Sequence, residues 1–81
     1  MSSRKYEKEA KNMKIIVAER IKELMDEKSL NQVKLAEKIG IGQSAISAWV
    51  LGKKLPSIAS LWSLADYFGV DIDYLVGRKD I

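Results

Sequence analysis

The chain has no cysteine, so neither a disulfide framework nor a thiolate metal site can form. It has no histidine either, which removes the usual general base near neutral pH and the commonest metal ligand. A single proline, Pro56, leaves room for a largely helical fold. No apolar run approaches the roughly 20 residues needed to cross a bilayer. The first residues are charged and lack an apolar segment, so no secretory signal is expected and a cytoplasmic placement is. Acids are missing where an exposed helix would ordinarily carry them: the outward positions of residues 42–49 hold none. What remains is an 81-residue chain with formal charge +3, long enough for one domain with a modest core. Mild basicity permits a polyanionic partner without demanding one.

The apolar pattern is helical throughout. Val17, Ile21, Leu24 and Met25 fall at i, i+4, i+7 and i+8, one helical stripe. Tyr6, Ala10 and Met13 continue a similar spacing upstream, and Glu7 and Lys11 form an i,i+4 pair in the favourable order. Residues 1–13 therefore read either as an extension of the first helix or as a frayed basic arm. Asn31 is suited to cap a second helix, Gln32–Ile39, which Gly40 ends. Gly42 opens a third helix, Gln43–Leu51. Pro56 excludes helix before Ser57, which caps a fourth with the stripe Ile58, Leu61, Trp62, Ala65 and Phe68. A short last helix opens at Asp71 or Ile72 and stops at Gly77. Domain boundaries follow: 1–13 as arm or extension, 14–77 as the domain, 78–81 as a tail.

The stretch "NQVKLAEKIGIGQSAISAWVLGK", Asn31 to Lys53, is the most informative. Ala36 lies on the inward stripe with Leu35 and Ile39, where a small side chain lets another helix cross closely. Gly40 permits a tight turn with positive φ, and Ile41 anchors it. Ile46, Trp49 and Val50 form the inner face of the third helix. These apolar side chains are thus committed to clamping helix to helix. Outward there remains a row of small or amide side chains: Gln43, Ser44, Ser47 and Ala48. Small residues let a helix sink into a major groove about 12 Å wide, and acids there would repel phosphate. A glutamine at the helix start can bond an adenine edge in two places. Two helices arranged so form a helix-turn-helix.

From about residue 15 the chain resembles the lambdoid phage repressor and Cro type of helix-turn-helix domain, the Xre-like family. "ERIKEL", "NQVKLAEKIGI", "AISAWVLGKKLPS" and "LADYFGVDIDYLVG" fall in family order with family spacing. The resemblance implies an all-α, compact five-helix domain whose third helix reads DNA as a dimer. It places Gln43, Ser44, Ser47 and Ala48 at base-reading positions. Gln32 matches a residue that touches phosphate and braces the recognition glutamine. It also implies dimer contacts near Leu55–Ile58 and Asp73–Val76. Three departures stand out. Val50 and Met25 occupy positions where the family often pairs an acid with a base, so an ion pair is replaced by an apolar contact, a swap that is often neutral or stabilising. Gly42 replaces a hydroxyl cap, and Leu51 stands where a polar residue is common.

Lys53 and Lys54 follow the third helix and read equally as phosphate contacts or as solvated charge. Lys28, Lys34 and Lys38 read as surface charge. Arg20 is expected to pair with Glu19 or Glu23, with phosphate contact as the alternative, and Trp62 to lie mainly in the core, with a partly exposed dimer role as the alternative. Asp71 and Asp73 fit a helix start, where the dipole favours them, better than a catalytic dyad, since no cleft or nucleophile accompanies them. The expected function is therefore a sequence-specific double-stranded DNA-binding transcription regulator, a repressor on a palindromic operator, homodimeric on DNA. No enzymatic activity, cofactor, metal, membrane partner or small-molecule ligand is expected. The alternatives are an antitoxin or activator of the same fold, or a helical protein-interaction module without DNA binding.

Overall fold

The computed structural model describes residues 3–80, with side-chain surroundings from Glu7 onward. Among them are five helices and no strand: α1 (Ser3–Glu27), α2 (Gln32–Ile39), α3 (Gln43–Val50), α4 (Ile58–Phe68) and α5 (Ile72–Leu75). α1 packs on α3 and α5, α2 on α3 and α4, and α4 on α5. The core they enclose is wholly apolar, with no buried polar or charged side chain among the described residues.

α1 buries the stripe Val17, Ile21, Leu24 and Met25, as the spacing predicts. It continues without a break back to Ser3, yet no residue from Glu7 to Asn12 is buried. Of the predicted upstream seam, Met13 packs partly on the core, and the side chain of Tyr6 lies outside the described residues. α1 ends with Ser29 at φ 54°, where the Leu30 N–H reaches back to the Met25 carbonyl at 2.9 Å. A left-handed serine is strained and a glycine there is not. Ser29→Gly is therefore expected to stabilise the fold by roughly 0.5–1 kcal/mol. A higher denaturation midpoint at unchanged slope would show it, and an unchanged or lower midpoint would contradict it.

Local chemistry sets the other ends. The Asn31 Oδ1 accepts the Lys34 N–H at 2.8 Å, capping α2. Gly40, at φ 71°, closes it with its N–H on the Ala36 carbonyl, the positive-φ turn between the two central helices. α3 stops at Val50, one residue earlier than the sequence pattern implies, because Leu51 is already its C-cap. The Ser57 Oγ accepts the Ser60 N–H at 3.1 Å and starts α4.

Two side chains depart from expectation on α4. Trp62 and Ile58 are not core: they are 69% and 76% exposed. The buried residues are Leu61, Leu64 and Phe68. Trp62 is turned about 100° from Leu61 around the helix, onto a flank that α2 and α5 leave open. Arg20 is intramolecularly engaged, but not with Glu19 or Glu23. Its guanidinium lies over the Tyr74 ring at 4.2 Å, donates to the Lys79 carbonyl at 3.3 Å and stands 3.9 Å from the Asp80 carboxylate. The packing of α1 on α5 offers Arg20 an aromatic face and a carbonyl together, which a neighbouring glutamate on the same helix cannot match. Asp71 makes no capping hydrogen bond with its side chain. Its carboxylate accepts from the Lys79 Nζ at 2.6 Å instead, and that contact holds the ammonium above its ordinary pKa.

Candidate nucleic-acid interface

The geometry of α3 follows from which of its side chains the core consumes. Ile46, Trp49 and Val50 are buried, and Leu35 of α2 is fully buried beside them. Ala36, Ile39, Ile41 and Ala45 pack partly against the same cluster. With that face clamped, the opposite one is presented to solvent. Gln43 and Ser44 are exposed, and Ser47 and Ala48 are half-buried. Gln43, Ser44 and Ser47 line one shallow depression. The four side chains singled out as base-reading candidates thus lie on one short helix, three of them around a single hollow. Gln32, in the first turn of α2, is half-buried. Among the described residues no hydrogen bond joins it to Gln43.

The turn after α3 is built by its backbone. Gly52, at φ 71°, donates to the Trp49 carbonyl at 3.0 Å, and Lys53 donates to the Ala48 carbonyl at 2.9 Å. These paired bonds are a Schellman cap. They hold Lys53 and Lys54 just beyond the outward face, both exposed. The sequence has no acid between Glu37 and Asp66, and its only charges there are Lys38, Lys53 and Lys54. This face can therefore approach a phosphate backbone without repulsion, with hydrogen-bonding groups at its centre and cations at its edge.

Leu51 also has a place on this face, where the sequence suggests only the loss of a polar contact. Leu51 is 62% exposed at the end of α3, and an apolar side chain there suits the C5-methyl group of thymine. Its position directly after the outward residues was the available signal.

A helix-turn-helix family model matches residues 21–75. The chain belongs to the helix-turn-helix family of the phage repressor and Cro type. Within this family it is 35% identical over 63 residues to the HTH-type transcriptional activator BcrR of Enterococcus faecalis, covering 78% of this chain and 31% of that protein. It is 34% identical over 61 residues to the cryptic phage CTXphi transcriptional repressor RstR of Vibrio cholerae, covering 75% and 55%. It is 31% identical over 65 residues to the immunity repressor protein of Bacillus phage phi105, covering 80% and 45%. The matched segment spans from about a third to just over half of these helix-turn-helix proteins. The family match begins at Ile21, inside α1, so the helical residues from Ser3 to Arg20 lie upstream of it.

Proposed function

We propose that this chain is a sequence-specific double-stranded DNA-binding transcription regulator that acts as a repressor. The observation that carries the proposal is the outward face of α3: small, amide-bearing and acid-free, on a helix whose other face is locked into the core. In this reading α3 enters the major groove. Gln43 bonds a base edge, with Ser44, Ser47 and Ala48 beside it, while Gln32, Lys53 and Lys54 hold the phosphate backbone. Residues 14–77 form the binding domain in the cytoplasm, residues 1–13 extend its first helix and 78–81 are its tail. No catalytic step or cofactor belongs to the function. Repression is read from the likeness to the repressor RstR of Vibrio cholerae and the immunity repressor of Bacillus phage phi105, and the likeness to the activator BcrR of Enterococcus faecalis keeps activation as the second reading.

One domain of this size covers few base pairs, so a two-fold homodimer on a palindromic operator completes the reading. Leu55, just before α4, and Ile58 and Trp62 in its first turns are exposed apolar side chains and form the proposed contact. The other expected segment is less suited, since Leu75 is fully buried and Tyr74 lies under Arg20. So small a contact predicts a weak dimer in solution that tightens on DNA. Sedimentation at low micromolar concentration should show mostly monomer. A duplex with two half-sites about one helical turn apart should bind at least a hundredfold or so more tightly than one half-site. Equal affinity for both would overturn the dimer, and no duplex binding at low salt would overturn the function.

A further inference from the structure

The positive charge of this protein is unevenly placed. Of its 14 basic and 11 acidic residues, five basic and two acidic lie in residues 1–14. The remaining residues, 15–81, carry nine of each and are formally neutral. Beyond Lys14 the chain thus brings Lys53 and Lys54 to the candidate interface but adds no net positive charge. The whole excess lies in the N-terminal residues up to Lys14. There Lys8 and Lys11 are exposed and Lys14 is half-buried, each three residues from the next. Side chains at that spacing are neighbours on a helix.

The position of this segment matters as much as its charge. A side chain built on Gly52 would come within 3.9 Å of the Lys14 carbonyl oxygen, so α1 passes directly beside the turn that carries Lys53 and Lys54. The free turns of α1 therefore leave the domain from the edge of the candidate interface. From Glu7 to Asn12, where no side chain is buried, they span about 9 Å at the helical rise of about 1.5 Å per residue. The apolar core explains none of these lysines.

We propose that the free turns of α1 are a second, sequence-independent DNA contact, in which Lys8, Lys11 and Lys14 extend the phosphate-binding edge begun by Lys53 and Lys54 along the duplex. This rests on the DNA-binding reading of α3 and adds to it the main source of non-specific affinity. Each phosphate neutralised contributes about 0.9 to the slope of log affinity against log salt. The triple variant Lys8→Gln, Lys11→Gln, Lys14→Gln, in the full chain, should give a slope shallower by roughly 2–3. Affinity for random duplex and for a selected site should fall by the same factor, leaving their ratio unchanged. Glu7→Gln, which removes an acid one turn from Lys11, should strengthen both. Glutamine is a good helix former, so circular dichroism should show the helix intact. If the triple variant does not fold, the same comparison between Lys11→Gln and Glu7→Gln decides. An unchanged salt slope with normal site preference would overturn this inference and leave the α3 reading standing. A wild-type protein that binds no duplex would overturn both.

Discussion

Val50→Glu is expected to destabilise the protein by several kcal/mol, on the order of 3–5. Val50 is 8% exposed and shares one core cluster with Met25, which is 6% exposed. No buried polar group among the described residues offers a glutamate there a partner. The new carboxylate would also sit at the last residue of α3, where the helix dipole disfavours negative charge. A loss of this size is comparable to the entire stability of a small domain. Adding Met25→Arg should recover part of it, because the guanidinium would meet the carboxylate across α1 and α3, restoring an ion pair where the family often has one. Denaturant titration of both variants checks this. A single variant with an unchanged midpoint would show that position 50 faces solvent, and a double variant no better than the single would show that positions 25 and 50 do not meet.

The parts of this fold that could be read from the sequence are those with a local cause. Asn31, Gly40 and Ser57 each act within one helical turn, and each sits at the helix end its chemistry suggests. The stripes of α1 and α3 were legible because polar residues interrupt them on one side only. α4 was not, and for a physical reason. Ile58, Ala59, Leu61, Trp62, Leu64, Ala65 and Phe68 spread apolar groups over more than half of the helix circumference, so spacing alone cannot say which flank is covered. The packing of α2 and α5 decides it, and leaves Ile58 and Trp62 outside. Arg20 fails the local search in the same way: its carbonyl partner is 59 residues distant in sequence, and no helical spacing points to it. Ser29 carries no mark of its left-handed backbone, since serine adopts that conformation only under constraint from its surroundings. The candidate site was more legible than the core of α4, because a recognition surface is written in what it lacks. The absence of acids and of bulk on residues 43–48 is visible in one dimension. The approach of α1 at Lys14 to the turn at Gly52 is not, because only the fold brings these residues together.

The proposed base-reading role of α3 rests most heavily on Gln43, exposed in the first turn and bordering the hollow shared with Ser44 and Ser47. An amide there can give a hydrogen bond and accept another from one adenine, which no phosphate contact can imitate. Gln43→Ala should cost about 1–3 kcal/mol on the best site and much less on random DNA. Selection of bound sequences from random duplexes, run side by side with wild type and Gln43→Ala, tests this most directly. The wild type should enrich a two-fold-symmetric site, and the variant should enrich the same site with preference relaxed at one base pair in each half. Loss of affinity in equal measure on the selected site and on random duplex would make Gln43 a general contact and contradict base reading by α3.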